Sequence, residues 1–293
     1  MHENPPALFD WITLIILALI WGASFWFIKH AVAVFDPYQM AMWRMTLATL
    51  FYLPVALAFW SRIDWTLWPY LLVVAFFGSA IPNFLFAVAQ QHVSSSLAGV
   101  LNSLTPLFTL LIGVSFFRMR FSLRKLAGVG IGFGGATLLI AFNQSAGMSG
   151  NWVFALLCAL AALCYAINAN TVGRFLAGQH PGAIAAASFI LTCWLFLAGL
   201  WHSGGAHALA QNPSPFLTAL GYIAYLAAVG TVGGSILYFW LLQRTGPVFA
   251  TSVTYLLPIS ALLIGLLDGE SVGLSDLLGT VVILAGVYVI RKK

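Results

Sequence analysis

The sequence predicts an all-α membrane protein: ten transmembrane helices arranged as two inverted five-helix repeats, with both termini cytoplasmic. Three observations lead there. Of the 293 residues, 61% are hydrophobic and only 6% are charged, and the mean hydropathy is +0.98. A soluble domain carries about 25% charged residues to cover its surface, so the solvent for most of this chain is lipid. Second, Lys and Arg gather on one side of the runs. Third, the phrase Pro-x-x-x-Leu-Leu-Ile-Gly is written twice, beginning at Pro106 and again 152 residues later at Pro258.

A span needs about 20 mostly apolar residues. Ten runs qualify: 11–33, 38–60, 67–89, 95–117, 124–142, 152–172, 182–203, 216–242, 247–267 and 274–290. The breaks carry turn chemistry, such as Asp36-Pro37, the 143–151 segment NQSAGMSGN, Pro181 in GQHPG, and the Gly/Pro-rich 203–215 segment. These connections leave no room for a soluble domain. With ten spans, ten of the 12 basic residues fall on one side: Arg62, Arg118, Arg120, Arg124, Lys125, Arg174, Arg244, Arg291, Lys292 and Lys293. That side is read as cytoplasmic. Trp11, Trp60, Trp65 and Trp68 then mark the inner interface, and Trp152 and Trp201 the outer one. The first ten residues hold no Lys or Arg and no cleavage pattern follows, so the first helix is expected to stay in the mature protein.

Sliding the chain by 152 places Gly78 on Gly230, Phe86 on Tyr238, Gln91 on Gln243, Ala98 on Ala250, Pro106 on Pro258 and Gly113 on Gly265. A slide of 144 places Trp21 on Tyr165 and Pro37 on Pro181. Residues 1–143 and 144–293 are therefore read as two copies within one membrane domain. Five spans per copy is odd, so the copies enter from opposite sides. Inverted repeats of this kind place a binding site near the midplane where the copies meet. Helix breaks sit in matching places. Gly78 and Pro82 interrupt the third span, and Gly230 and Gly234 the eighth. Pro106 and Pro258 kink the fourth and ninth.

Several motifs carry a resemblance. LIWGASFWFIK at 19–29, DPYQMAMWRMTLA at 36–48, and the paired segments ending in PLFTLLIG and PISALLIG resemble the drug/metabolite transporter superfamily in its ten-helix EamA-type branch. The resemblance spans nearly the whole chain and is strongest toward aromatic amino-acid exporters. It implies export or exchange of small metabolites, above all amino acids, across a bacterial inner membrane. It also implies a cavity lined by spans 1–4 and 6–9, with spans 5 and 10 outside.

Candidate site residues follow from polarity at depth. Arg44 is the one charge well inside a span. Two roles are open to it: holding a substrate carboxylate, or snorkelling outward to Asp36. Asn83 follows Pro82, and Asn102 lies one turn before Pro106. Tyr238 and Tyr255 lie near the breaks of the second copy, and Trp21 off the interface belts. These residues can hold an amino and carboxylate head or an apolar side chain; the competing role is helix packing. The acids Glu3, Asp10, Asp36, Asp64, Asp268, Glu270 and Asp276 all lie near ends or loops. A proton relay normally uses a buried acid or His, so facilitated, gradient-driven transport is expected.

The rival function is a multidrug or organic-cation exporter, which normally needs a buried Glu. An intramembrane enzyme would need a catalytic dyad at depth, and no two acids share a span interior. GIGFGG at 130–135 lies inside an apolar run with no strand before it, so it reads as helix packing rather than dinucleotide binding. No GxxxxGK[ST] segment is present. No cofactor, metal or nucleic-acid partner is expected. Cys158, Cys164 and Cys193 read as packing residues, and the expected state is a monomer or weak homodimer.

Overall fold

The computed structural model describes residues 6–89, 92–93, 95–142, 152–203, 213–267 and 274–290. The loops 143–151 and 204–212, and the basic Arg291, Lys292 and Lys293, lie outside the described residues, as do Gln91, Asp268 and Glu270.

The described chain is helical throughout. Helix α1 is Leu8–Ala31 and α2 is Pro37–Phe59, followed by 3-10 turns at Trp60–Arg62 and Trp65–Leu67. Helix α3 (Trp68–Ala75) passes through a π segment, Phe76–Ala80, into α4 (Ile81–Ala89). Then come α5 (Ser95–Asn102), α6 (Thr105–Phe116), α7 (Leu123–Phe142), α8 (Trp152–Phe175) and α9 (Pro181–His202). Helix α10 (Pro213–Tyr225) runs through a second π segment, Leu226–Gly233, into α11 (Gly234–Thr245). The last elements are α12 (Pro247–Thr251), α13 (Val253–Leu267) and α14 (Leu274–Ile290).

Helix thus covers the middle of every apolar run marked off in the sequence. Among the described residues seven stretches are long and apolar enough to cross a bilayer: Leu8–Ile28, Pro37–Arg62, Trp65–Phe86, Ala98–Phe116, Trp152–Phe175, Pro181–His202 and Pro215–Thr245. Pro247–Ser260 and Leu277–Ile290 are shorter apolar helices. Large apolar side chains such as Leu57, Phe116, Leu156 and Val281 face outward, as a lipid-facing surface requires. Trp60, Trp68, Trp152 and Trp201 are exposed near helix ends.

Local chemistry sets the ends. Asp36 accepts a hydrogen bond from the Tyr38 N–H at 2.9 Å, with Pro37 in the first turn of α2. At α9, His180 Nδ1 accepts from the Gly182 N–H at 3.1 Å. Burial, and then the nearby Arg62, push the His180 pKa down, which keeps the ring neutral and able to accept. Gly246, at φ 91°, turns the chain between α11 and α12 in a conformation that favours glycine.

The proline breaks are displaced from the prolines themselves. In the fourth run the helix stops at Asn102 and restarts at Thr105, so Pro106 lies in the first turn of α6. Its missing N–H costs nothing there, because first-turn amides have no partner inside the helix. In the ninth run the interruption falls at Ser252, and Pro258 lies inside α13.

Glycines let α7 and α14 touch closely. A Cβ on Gly286 would overlap the backbone of Gly132, and one on Gly135 would lie 2.7 Å from the Ile283 nitrogen. Elsewhere α2 packs on α9, α1 on α13, and α8 on both α4 and α6. At one end, Arg244 Nε donates to Asp10 Oδ1 at 2.7 Å. Asp10 is buried, and its other oxygen accepts from the Ala7 N–H at 2.9 Å. The Arg244 guanidinium also lies over the Trp240 ring.

Candidate functional site

Aromatic and polar side chains from both halves of the chain converge near the middle of their helices. Trp21 of α1 packs on Tyr238 of α11, with ring centroids 5.7 Å apart. Phe86 of α4 packs on Tyr165 of α8 at 6.3 Å. These four residues are two sequence-matched pairs: Trp21 falls on Tyr165 at an offset of 144, and Phe86 on Tyr238 at 152. Each contact therefore joins one member of each matched pair, and the two contacts repeat one another.

The second π segment lies beside this cluster. A π turn widens the helix and leaves backbone groups loosely partnered. Here they are taken up by side chains. Trp21 Nε1 donates to the Gly230 carbonyl at 2.8 Å. The Tyr52 hydroxyl reaches the Thr231 and Val232 carbonyls at 3.4 Å each. The first π segment is treated likewise. Pro82 just beyond it has no N–H to offer the helix, and Asn83 Nδ2 donates to the Ser79 carbonyl at 2.7 Å.

Arg44 points into the cluster rather than back to its helix end. Its Nε donates to Thr231 Oγ1 at 3.1 Å, while Asp36 is engaged as the cap of α2. Tyr165 lies within electrostatic range of the guanidinium, and Tyr238 within range of Tyr165. Arg44, Tyr165 and Tyr238 are half-buried, each keeping part of its surface accessible. Among the described residues Arg44 has no carboxylate partner.

The glycines fit this arrangement. A Cβ on Gly234 would lie 2.5 Å from Trp21 Nε1, and one on Gly230 would lie 3.3 Å from Ser24 Oγ and 3.7 Å from Arg44 Nη2. A Cβ on Gly78 would lie 2.9 Å from the Asn168 amide. Both breaks are thus places where helices approach too closely for a side chain.

The structure therefore brings Trp21, Arg44 and Tyr238 together. Asn83 turns back onto its own helix. Asn102, half-buried at the end of α5, accepts from Thr105 Oγ1 through its carbonyl at 2.7 Å. Tyr255 is directed elsewhere: it is fully buried, donates to the Val129 carbonyl on α7 at 3.1 Å, and lies against Gly132. Four residues absent from the sequence-based set enter the cluster: Phe86, Tyr165, Thr231 and Tyr52. The offsets that aligned Trp21 with Tyr165 and Phe86 with Tyr238 were the signal that could have found two of them. Among the described residues no three His, Cys, Asp or Glu side chains gather as metal ligands.

Comparison with known proteins places this arrangement. A solved crystal structure superposes with a TM-score of 0.70 at 19% identity, covering 95% of this chain and 94% of its own; it shares the fold. An uncharacterized inner membrane transporter of Escherichia coli K12, YedA, is 30% identical over 286 residues, covering 94% of this chain and 89% of YedA. An uncharacterized transporter of Archaeoglobus fulgidus is 26% identical over 289 residues, 97% of this chain and 99% of that one. The sequence profile of the EamA-like transporter family matches twice, over residues 10–141 and 152–292. A multi-pass chain matched by that profile in both halves, and 30% identical to YedA along nearly its whole length, belongs to the EamA-like transporter family.

Proposed function

We propose that this membrane transporter of small molecules exports amino acids and similar carboxylate-bearing metabolites, aromatic and neutral ones foremost, across a bacterial inner membrane. It works by alternating access between residues 1–143 and 144–293, two inverted five-helix copies with both termini cytoplasmic. The single observation that carries this reading is the doubled aromatic contact, Trp21 on Tyr238 and Tyr165 on Phe86. Two matched copies meeting around a shared space is the construction that lets a fixed site face either side in turn. The two family matches, one per half, and the matching π segments support it. Arg44 supplies a positive charge for a carboxylate, with Trp21, Tyr238 and the more distant Asn83 and Asn102 around it. Tyr255 serves the packing of α13 on α7. Flux follows the substrate gradient, since no acid lies deep in any span.

Counterflow of labelled amino acids in proteoliposomes tests the transport claim, and single cysteines test the topology. Cysteines placed at 143–151 or 203–215 should react with an impermeant thiol reagent from outside, and those at 118–123 should not. Reversed labelling would overturn the orientation. Uphill accumulation driven by a proton gradient alone would overturn facilitated transport.

A further inference from the structure

The hydrogen-bonding groups of the central cluster are unequal in kind. Backbone carbonyls beside it already meet donors from within the protein. The carbonyls loosened by the second π segment, at Gly230, Thr231 and Val232, face the Trp21 indole and the Tyr52 hydroxyl. The Ser79 carbonyl of the first π segment takes Asn83 Nδ2. An ammonium group would find no carboxylate among the described residues of the site to pair with.

The donors are different. Arg44 uses Nε on Thr231, and among the described residues neither Nη group meets a partner. A guanidinium has five N–H donors in a fork that matches a carboxylate. The described part of the site holds no Asp or Glu, and every acid in the sequence lies near a helix end or in a loop. Burying a cation without a counter-ion is expensive. A bound anion removes that cost, whereas a bound cation would add to it. The planar rings of Trp21, Tyr238, Tyr165 and Phe86 provide the apolar walls.

We infer that the site recognises an organic monoanion, a carboxylate on a planar apolar body, and that an α-amino group on the substrate is tolerated but not read. This inference rests on the transport site proposed above and narrows its substrate class. An amino acid would enter as a carboxylate that also carries an amine, and its desamino analogue would bind as well.

The test uses the purified full chain in lipid and three probes of one shape: L-phenylalanine, 3-phenylpropionate and phenethylamine. Binding is followed by calorimetry, and flux by counterflow in proteoliposomes. 3-Phenylpropionate should bind within about threefold of L-phenylalanine, because the missing amine costs no ion pair. Phenethylamine should bind at least about tenfold more weakly than either, since it lacks the charge-assisted contact. Arg44→Gln should weaken both carboxylates by about tenfold or more. Arg44→Lys, which keeps the charge, covers the case in which Arg44→Gln does not fold; it should retain the order of the three probes. Preference for phenethylamine overturns the inference, as does a tenfold advantage of phenylalanine over its desamino analogue, or binding of none of the three. Binding in the expected order without flux would instead remove the transport reading and leave the charge preference of the site standing. Flux with the order reversed would keep transport and remove the preference.

Discussion

The two aromatic contacts at the centre share one plan and differ in how they are held. Trp21 is fixed at both edges: its ring lies on Tyr238 and its N–H is bonded to Gly230. Tyr165, its counterpart 144 residues on, lies on Phe86 and is half-buried. The glycine of each break faces matched positions, Gly230 toward Ser24 and Gly78 toward Asn168. Charge is not matched. Where one wall has Arg44 bonded to Thr231, the corresponding positions hold Ser188, which donates to its own helix at Ala185, and Ser79. The helix ends differ in the same way. Asp10 and Arg244 form an ion pair, while the residues at their offsets, Phe154 and His92, form a ring stack with centroids 3.8 Å apart. Among the described residues the two matched contacts thus share a frame but not a charge: Arg44 and the Asp10–Arg244 pair have uncharged or ring-stacked residues at their offsets.

The comparison breaks most sharply at the glycines. Gly234→Val should drive a side chain into the Trp21 indole, costing roughly 1–3 kcal/mol. A clear fall in melting temperature, with loss of transport, is expected. Gly221→Val, with nothing within 4 Å of its Cβ, is the control and should melt like the parent. Equal melting of both variants would show that Trp21 is not held where described.

The two helix-end contacts should respond unequally. Arg244→Gln leaves Asp10 buried without its cation. Because Arg244 itself is nearly half-exposed, at 47%, the expected cost is about 1–3 kcal/mol, below that of a fully enclosed pair. His92→Ala removes an exposed ring contact worth roughly 0.5–1.5 kcal/mol at most. Thermal unfolding in detergent compares them, and a larger loss from His92→Ala would reverse the assignment of the stronger contact.

The smallest effects separate the two walls. Trp21→Phe gives up one hydrogen bond, about 0.5–1.5 kcal/mol, and should lower the melting temperature slightly. Tyr165→Phe should leave stability as it is and alter apparent substrate affinity by less than about tenfold. The opposite pattern would make Tyr165 the structural member.

Much of this was legible beforehand. Helix positions followed from apolar runs and turn residues, since lipid admits few alternatives to helix. Arg44 and Trp21 stood out because a charge or an indole away from the interface is costly or unusual there. The glycine breaks fall in the π segments, but the proline breaks were placed less well. Pro106 marks its break from the first turn of the next helix, and Pro258 lies inside α13, because proline is accommodated where few amides are lost. The π segments leave no composition signature beyond small residues. Facing was the hardest property to read: one residue turns a side chain about 100° around a helix, so Tyr255 looked equivalent to Tyr238 in the sequence yet is directed at α7. Phe86 and Tyr165 were marked by their offsets from Tyr238 and Trp21, but their mutual contact appears only in the folded chain.

Arg44, a half-buried cation with no carboxylate partner among the described residues, also bears on energetics across the membrane. A cell interior is electrically negative, and one elementary charge crossing the membrane is worth about 2.3 kcal/mol per 100 mV. A monoanion neutralised on Arg44 and released outside carries its negative charge down that potential, which biases the equilibrium outward by roughly 50-fold per 100 mV. A zwitterion crossing by the same route feels no such bias. One arginine would thereby let the resting voltage of the cell set the direction of transport, with no proton or sodium ion moving alongside.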